Sequence, residues 1–385
     1  MKASSIIVVG LAIFTMIFGA GNVVFPLGVG RDMGSMVLFA LFGLIITGVA
    51  MPILGLVASI FYEGRYKKFL SILGPIPASL IIFGCLMVLG PFGATPRALT
   101  ISYGAIRWHF PGLSLFVFSI MVSILLFLST MKHTRIIDIM GKVLAPMKLT
   151  LLSSIILIGL FATAGTPLPS DVSAWKSFSF GILKGNEMMD LLATIFFSGL
   201  IFTSIKRYGR RDGLEFTDRQ MAIVGVKAGL IGGGLVALVY TGFCLLAAKC
   251  GSQIMNVPTD QLLSALATIV TGPRTTFLAN IMVALACFST AMVWTVVFSN
   301  YLRTEIFKGR ITYIYALLIT VTLNFIMTNL GFEGISHIIE RAMMVVYPML
   351  IVFSLSSIAY KLWNFQYVRS VTFGTLALTV LLRLL

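Results

Sequence analysis

Apolar runs of about 20 residues, each long enough to cross the hydrocarbon core of a bilayer as a helix, recur along the whole of this sequence. They constrain the fold more than any other feature. Charged residues make up only 11% of the chain and apolar residues 58%, against roughly 25% charged in a soluble domain. The expected class is an all-α polytopic membrane protein. Eleven spans are predicted, over residues 5–29, 36–62, 76–106, 114–131, 138–164, 186–205, 219–248, 274–301, 311–328, 335–360 and 368–385. The sequence reads as having neither a soluble domain nor a low-complexity tract.

The net charge of +15 admits two readings, a polyanionic partner or orientation in a membrane. Its distribution favours the second. With the N-terminus inside and the spans alternating, 17 basic residues fall on the inner side and 6 on the outer. The inner set includes Arg65, Lys67, Lys68, Lys132, Arg135, Lys142 and the run from Lys206 to Arg219. Such an imbalance is the positive-inside rule. The basic excess therefore needs no nucleic acid. Cys85, Cys244, Cys250 and Cys287 lie in or beside apolar spans. Their spacing fits neither a zinc site nor a disulfide framework, and they read as small packing residues. Lys2, an apolar run and Gly19–Ala20–Gly21 imitate a cleaved leader, but the apolar run continues past that point.

The first span carries a weak point between Ile13 and Pro26. Gly19 and Gly21 each cost a helix interior about 1 kcal/mol relative to alanine, and Asn22 follows at once. Pro26 removes a backbone donor one turn later. In hydrocarbon, broken backbone is tolerated only where protein or a water-filled cavity satisfies the freed groups. Secondary transporters build their substrate and ion sites from such breaks. Span 3 has a second irregular patch, Gly90–Pro91 to Pro96–Arg97, and Pro52 predicts a kink in span 2. Span 5 contains Pro146. Glycines 225, 229 and 233 share one face of span 7, where a neighbouring helix can approach closely. Residues 166–185 are expected as an outer connection with Trp175 as an interface anchor, and Leu262–Val270 as an outer lid or surface helix. Ile17–Phe18–Gly19–Ala20–Gly21 of span 1 has a faint echo in Ile195–Phe196–Phe197–Ser198–Gly199 of span 6. An odd number of spans per unit inverts the second unit, which is the signature of an inverted repeat. The units are 1–165 and 186–360, with 368–385 as an additional terminal span.

Together these segments resemble the branched-chain amino acid:cation symporter family of bacteria. The resembling pieces are Phe18–Gly19–Ala20–Gly21–Asn22 with Phe25–Pro26, Gly90–Pro91 with Thr95–Pro96–Arg97 and Ser102–Tyr103, and Met189–Asp190–Leu191–Leu192–Ala193. Ala286–Cys287–Phe288–Ser289–Thr290–Ala291, Asn329–Leu330–Gly331–Phe332 and Tyr347–Pro348 complete the set. That family is similar to the amino acid–polyamine–cation superfamily. Its LeuT-type fold pairs two inverted five-helix units, with spans 1 and 6 broken at mid-membrane. The resemblance implies a bacterial inner-membrane importer of leucine, isoleucine and valine, driven by Na+ or H+, with no other cofactor. Family members usually have twelve spans where eleven are counted here. The core ten are present, and the difference lies at the periphery, where oligomer contacts would fall.

A zwitterion needs an anion site, a cation site and an apolar pocket. Exposed N–H groups at Gly19, Ala20 and Gly21 suit a carboxylate, and freed carbonyls at a half-helix end suit an ammonium or sodium ion. The competing reading is helix packing on small residues. Phe196, Phe197, Ser198 and Gly199 are the expected break in span 6, with either phenylalanine as a pocket wall. Tyr103 is a further wall candidate or a member of the outer aromatic belt. Ala286, Ser289 and Thr290 fall at i, i+3 and i+4 on one helix face, a hard oxygen set for a small cation. The alternative is that both hydroxyls bond their own helix carbonyls. The superfamily resemblance adds carbonyls of Thr15 and Phe18 as sodium ligands, and Asn22 as a ligand for a second sodium. Asp190 is expected near the outer end of span 6, about 13 Å of helix from the break. It is either a coupling or gating carboxylate or a solvated one, with Arg97 as its candidate partner. An enzyme is not expected. His109, His133 and His337 are scattered near loop ends, and no metalloprotease, nucleophile-elbow or phosphate-loop motif is present. A channel would show repeated polar rings, and none is visible. A permease of the same fold for methionine or alanine is the closest alternative, because pocket shape separates apolar side chains by only ~1–3 kcal/mol per methylene.

Overall fold

Helices here stop where glycine, proline or left-handed backbone interrupts an apolar run. The computed structural model describes residues 2–131, 145–162, 165–214 and 216–384, and every regular element among them is helical. Span 1 is two pieces, α1 (Ala3–Ile17) and α2 (Gly21–Met33), parted at Phe18–Ala20. Span 2 is α3 (Val37–Ile45) and α4 (Met51–Ile60), joined by a π-helical turn, Ile46–Ala50, just before Pro52. Tyr347 Oη donates to the Thr47 carbonyl of that turn at 2.6 Å. The short α5 (Tyr66–Leu70) leads to span 3, made of α6 (Pro75–Leu89) and α7 (Ala94–Arg107) with residues 90–93 between them. Spans 4 and 5 are α8 (Leu115–Met131) and α9 (Ala145–Ala162). Lys132, His133, Arg135 and Lys142 lie outside the described residues.

Span 6 is α10 (Ala174–Glu187) and α11 (Asp190–Arg211), and span 7 is α12 (Asp218–Lys249). The lid is α13 (Leu262–Thr271). Spans 8 to 11 follow as α14 (Pro273–Tyr301), α15 (Tyr313–Thr328), α16 (Gly331–Trp363) and α17 (Val368–Leu384).

The sixth span departs from expectation in two ways. Residues 174–187 form a helix instead of loop. Both prolines of the expected connection, Pro167 and Pro169, precede Ala174, and Ser173 caps α10 by accepting from the Lys176 N–H. The break falls at Met188–Met189, where Met189 takes the left-handed conformation with φ 64°, and not at Phe196–Gly199. There α11 runs on unbroken. One glycine costs a helix only about 1 kcal/mol, and the Ser198 hydroxyl finds a partner inside the helix by donating to Ile195 O at 2.7 Å.

The Lys2 N–H donates to Asp212 Oδ2 at 2.8 Å, so the start of α1 and the end of α11 lie on one face. Spans 1 and 6 therefore run in opposite directions, and their breaks meet between the two faces. Small residues allow the close packing that holds them. A Cβ on Gly181 would stand 1.8 Å from Ala40 O, and one on Gly43 2.2 Å from Phe178 O, which locks α10 onto α3. On α12, added carbons at Gly225, Gly229 and Gly233 would meet Ile60 or Ile53 of α4 at 2.4–2.8 Å, the close approach that their spacing predicts. The outer surface exposes Leu38, Phe42, Leu230 and Leu238, as a lipid-facing belt requires. All four cysteines are buried and none is disulfide-bonded.

Candidate functional site

The break in span 1 is held by one side chain. Asn22 Oδ1 accepts the Gly19 N–H at 2.8 Å. Its Nδ2 donates across the gap to Asp190 Oδ2 at 2.6 Å, and also to the Tyr240 hydroxyl. Tyr240 Oη donates in turn to the same Asp190 oxygen at 3.2 Å. Asp190 is thus not an outer-end residue. It is the first residue of α11, at the break itself, and only 4% exposed.

The break in span 6 is held from span 3. Arg97, in the first turn of α7, donates from Nη1 to Glu187 O at 2.6 Å and more distantly from Nη2 to Met188 O at 3.5 Å. The last carbonyls of a helix have no partner within it, and here a guanidinium supplies one. Arg97 also stacks on Phe25 of α2, with its Cζ 4.9 Å from the ring centroid. It forms no ion pair with Asp190 within 4 Å, so the two are neighbours at the break without the direct pairing that the sequence suggested. Lys184 pairs with Glu187 at 2.7 Å on the last turn of α10.

Between the breaks lies a cavity of about 470 Å³. Its wall includes Thr15, Phe18, Gly19, Ala20, Gly21 and Asn22 from span 1, and Ala286, Ser289 and Thr290 from α14. Asp190, Phe197 and Arg97 complete the set of expected site residues it brings together. The wall continues through Ala12, Ala193 and Leu200 toward the face that carries Lys2. The Ser289 and Thr290 hydroxyls donate to Ala286 O at 2.7 and 3.2 Å, and the Thr15 hydroxyl donates to Leu11 O at 2.7 Å. A hydroxyl whose one proton is so committed still has lone pairs with which to accept.

On the other side of the breaks the path narrows to a gap of about 20 Å³ among Val23, Val24, Ile101, Leu263 and Val283. The lid is clamped there. Ser264 of α13 donates to Asn280 Oδ1 at 2.9 Å, and Asn280 Nδ2 lies 3.1 Å from His109 Nε2. The cavity is therefore continuous toward one face and closed toward the other.

Four expected site residues are not on the cavity wall. The Tyr103 hydroxyl donates to Leu113 O at 2.9 Å, and its ring packs on Phe118 at 5.3 Å. Phe196 packs on Tyr66 at 4.8 Å. The Ser198 hydroxyl reaches Gly64 O at 3.2 Å, and a Cβ on Gly199 would stand 3.0 Å from that same oxygen. Those three residues brace α11 against α5 and the loop before it. Tyr240 and Trp294 are site residues that sequence reasoning missed. Trp294 shares the wall with Phe197, their rings 4.7 Å apart. Neither is marked by a motif.

A broken first span set against an inverted, broken sixth span around a central cavity defines a LeuT-type transporter, a multi-pass membrane protein and not an enzyme. The solved structure of Mhp1 shares this fold. It is described as a nucleobase-cation-symport-1 family transporter in a closed conformation with bromovinylhydantoin bound. The TM-score is 0.61 over 93% of this chain and 78% of that one, at 14% sequence identity.

Within that class the chain belongs to the family described as branched-chain amino acid transport protein, whose pattern matches residues 2–385. The branched-chain amino acid permease BrnQ of Bacillus subtilis is 26% identical over 359 residues, covering 91% of this chain and 80% of the relative. The permease BraB of the same organism is 26% identical over 374 residues, covering 93% and 80%.

Proposed function

We propose that this protein imports leucine, isoleucine and valine across a bacterial cytoplasmic membrane, coupled to Na+ or H+. The observation that carries the reading is the cavity of about 470 Å³ with both helix breaks on its wall. A half-helix start at Ala20 and Gly21 offers backbone N–H groups to a carboxylate. Phe197, Trp294 and Met292 offer an apolar surface to an aliphatic side chain. The family membership supports the same substrate class.

The coupling ion is assigned to the wall between α1 and α14. Carbonyls of Thr15, Phe18 and Ala286 and hydroxyls of Ser289 and Thr290 would supply the hard oxygens that a small cation takes. Asn22 is the candidate for a second ion, although its Oδ1 holds the Gly19 N–H in this conformation. The N-terminus is assigned to the cytoplasm, because the basic loops near Lys67 and Arg207 favour that side. The conformation described is then open to the cytoplasm.

A second reading keeps the fold and changes the substrate to methionine or alanine. Met188, Met189 and Met292 on the wall favour it, since thioether side chains repack around different shapes. Uptake by proteoliposomes, with sodium and pH gradients imposed separately and a panel of neutral amino acids competing, decides among these. Leucine uptake that follows one gradient and is outcompeted by isoleucine and valine is the expected result. Preference for methionine or alanine overturns the substrate, and uptake indifferent to both gradients overturns the coupling.

A further inference from the structure

We propose that Asp190 holds the ammonium group of the substrate, so that the amino end is recognised by a side-chain charge and not by the carbonyls of the broken sixth span. The inference rests on the transport reading above and adds a residue to it.

An ammonium site on the backbone of the sixth span needs free carbonyls at the end of α10. They are not free. Glu187 O and Met188 O both face the Arg97 guanidinium, which donates to the first at 2.6 Å. An ammonium placed on the same carbonyls would sit against a fixed positive charge. Like charges disfavour such a site.

Asp190 presents the opposite situation. It lines the cavity and is 4% exposed. Both of its hydrogen bonds, from Asn22 and Tyr240, go to Oδ2. No lysine, arginine or histidine among the described residues pairs with it within 4 Å, Arg97 acting on it as a neighbour without a hydrogen bond, and Oδ1 receives no donor from them. A carboxylate buried in a membrane is held by a counter-charge or by donors that match its lone pairs. An alkylammonium has three N–H donors and one positive charge. It is the complement that the open side of Asp190 lacks.

The other end of the zwitterion fits the same geometry. The Arg97 guanidinium touches the start of α2, since a Cβ on Gly21 would lie only 2.9 Å from Nη2, and both residues line the cavity. An α-carboxylate there meets the N–H groups of the first turn with Arg97 behind them. The two charges of the ligand then run from α2 to α11, across both breaks, and leave the aliphatic group toward Phe197 and Trp294.

The test is binding to the purified full-length protein in saturating sodium, with three probes. Leucine carries both charges, isoamylamine only the ammonium, and 4-methylpentanoate only the carboxylate. Asp190→Asn keeps an oxygen for Asn22 and Tyr240 and removes the charge. Losing one partner of a buried charge pair weakens leucine by about 100-fold or more, abolishes isoamylamine binding and leaves 4-methylpentanoate where it is in wild type. Asp190→Glu retains the charge and recovers most of the leucine affinity. Leucine bound by Asp190→Asn as tightly as by wild type overturns the proposal, including the case in which only the sodium dependence of binding is lost. So does equal loss of leucine and 4-methylpentanoate by a folded Asp190→Asn protein. If that variant does not fold, wild type decides, since 4-methylpentanoate binding as tight as leucine overturns the role of the ammonium. A wild type that binds no leucine overturns the transport reading itself, together with this inference.

Discussion

Asn22 and Asp190 are separated by 168 residues in the chain and by 2.6 Å in space, amide nitrogen to carboxylate oxygen. Each stands at the break of its own span, so one hydrogen bond joins the two interruptions. The same asparagine holds the Gly19 N–H at 2.8 Å. Hydrogen bonds to charged groups contribute roughly 1.5–3 kcal/mol. Asn22→Ala is therefore expected to lower the unfolding temperature in detergent and to abolish uptake. Tyr240→Phe removes the 3.2 Å bond to the same carboxylate together with the hydroxyl that accepts from Asn22 Nδ2, and its expected effect is at least about 1 kcal/mol. Because both side chains serve one oxygen, the double variant should depart from additivity. Additive effects would show that the two bonds are independent of each other.

Gly21 is the more constrained of the two glycines at the first break. A methyl group there meets Arg97 Nη2 at 2.9 Å, and Arg97 is pinned by Glu187 O. At Gly19 the nearest obstacle is Asn22 Oδ1, at 3.3 Å. Gly21→Ala should stop uptake with protein still present in the membrane, whereas Gly19→Ala should retain a measurable fraction. Gly19→Leu fills the cavity and should block binding altogether. Uptake rates normalised to membrane-inserted protein are the check. Wild-type rates in Gly21→Ala would mean that Arg97 is free to move aside.

The cavity is continuous on one side of the breaks and closed on the other, and chemical labelling detects that asymmetry. Thr15 is exposed within the wall, while Val23 is 4% exposed beyond the break. The native cysteines are all buried and give a low background. A membrane-impermeant thiol reagent should modify Thr15→Cys from the face that carries Lys2 and from no other. Without ligand, Val23→Cys should stay unmodified from either face. Labelling of Val23→Cys from the opposite face would show that the closed side opens readily.

Much of this architecture is legible before any coordinates are seen, and the reasons differ from residue to residue. The spans follow from apolar length, and the first break follows from Gly19 and Gly21 in a run that otherwise favours helix. The oxygen set on α14 follows from i, i+3, i+4 spacing, and the structure brings Ala286, Ser289 and Thr290 to the cavity wall. The second break was not legible. It depends on the left-handed backbone of Met189, a residue with no preference for that conformation, and on a guanidinium from another span to cap the carbonyls. Its echo at Phe196–Gly199 misled, because a single glycine does not break a helix that tertiary contacts support. Tyr240 was invisible for a similar reason. Nothing local marks one tyrosine in an apolar span as the partner of a carboxylate on a different helix.

Two glycines make a paired test of packing. A Cβ on Gly181 would stand 1.8 Å from the backbone oxygen of Ala40, which cannot yield without moving α3. A Cβ on Gly229 would stand 2.8 Å from Ile53 Cγ2, a side-chain atom that can yield without moving the α4 backbone. Overpacking a well-packed interior costs typically 1–3 kcal/mol, and Gly181→Ala should fall at or above the top of that range. Gly229→Ala should fall near the bottom. Thermal unfolding in detergent ranks them, and equal stability of the two variants would contradict the close seating of α10 on α3.

The ion assignment is tested on α14. Ser289 and Thr290 both donate to Ala286 O within their own helix, so alanine at both positions removes two oxygen ligands while leaving the helix backbone intact. A small hard cation binds through oxygen ligands at short range, and loss of two of them from one site leaves few to hold it. Weakening by about tenfold corresponds to 1.4 kcal/mol, a modest effect for two ligands. The Ser289→Ala, Thr290→Ala double variant should therefore need at least tenfold more sodium for half-maximal uptake, or lose sodium stimulation entirely, with normal thermal stability. A sodium dependence identical to wild type would remove the cation from this wall. Wild-type uptake that follows the pH gradient alone would assign the coupling to protons.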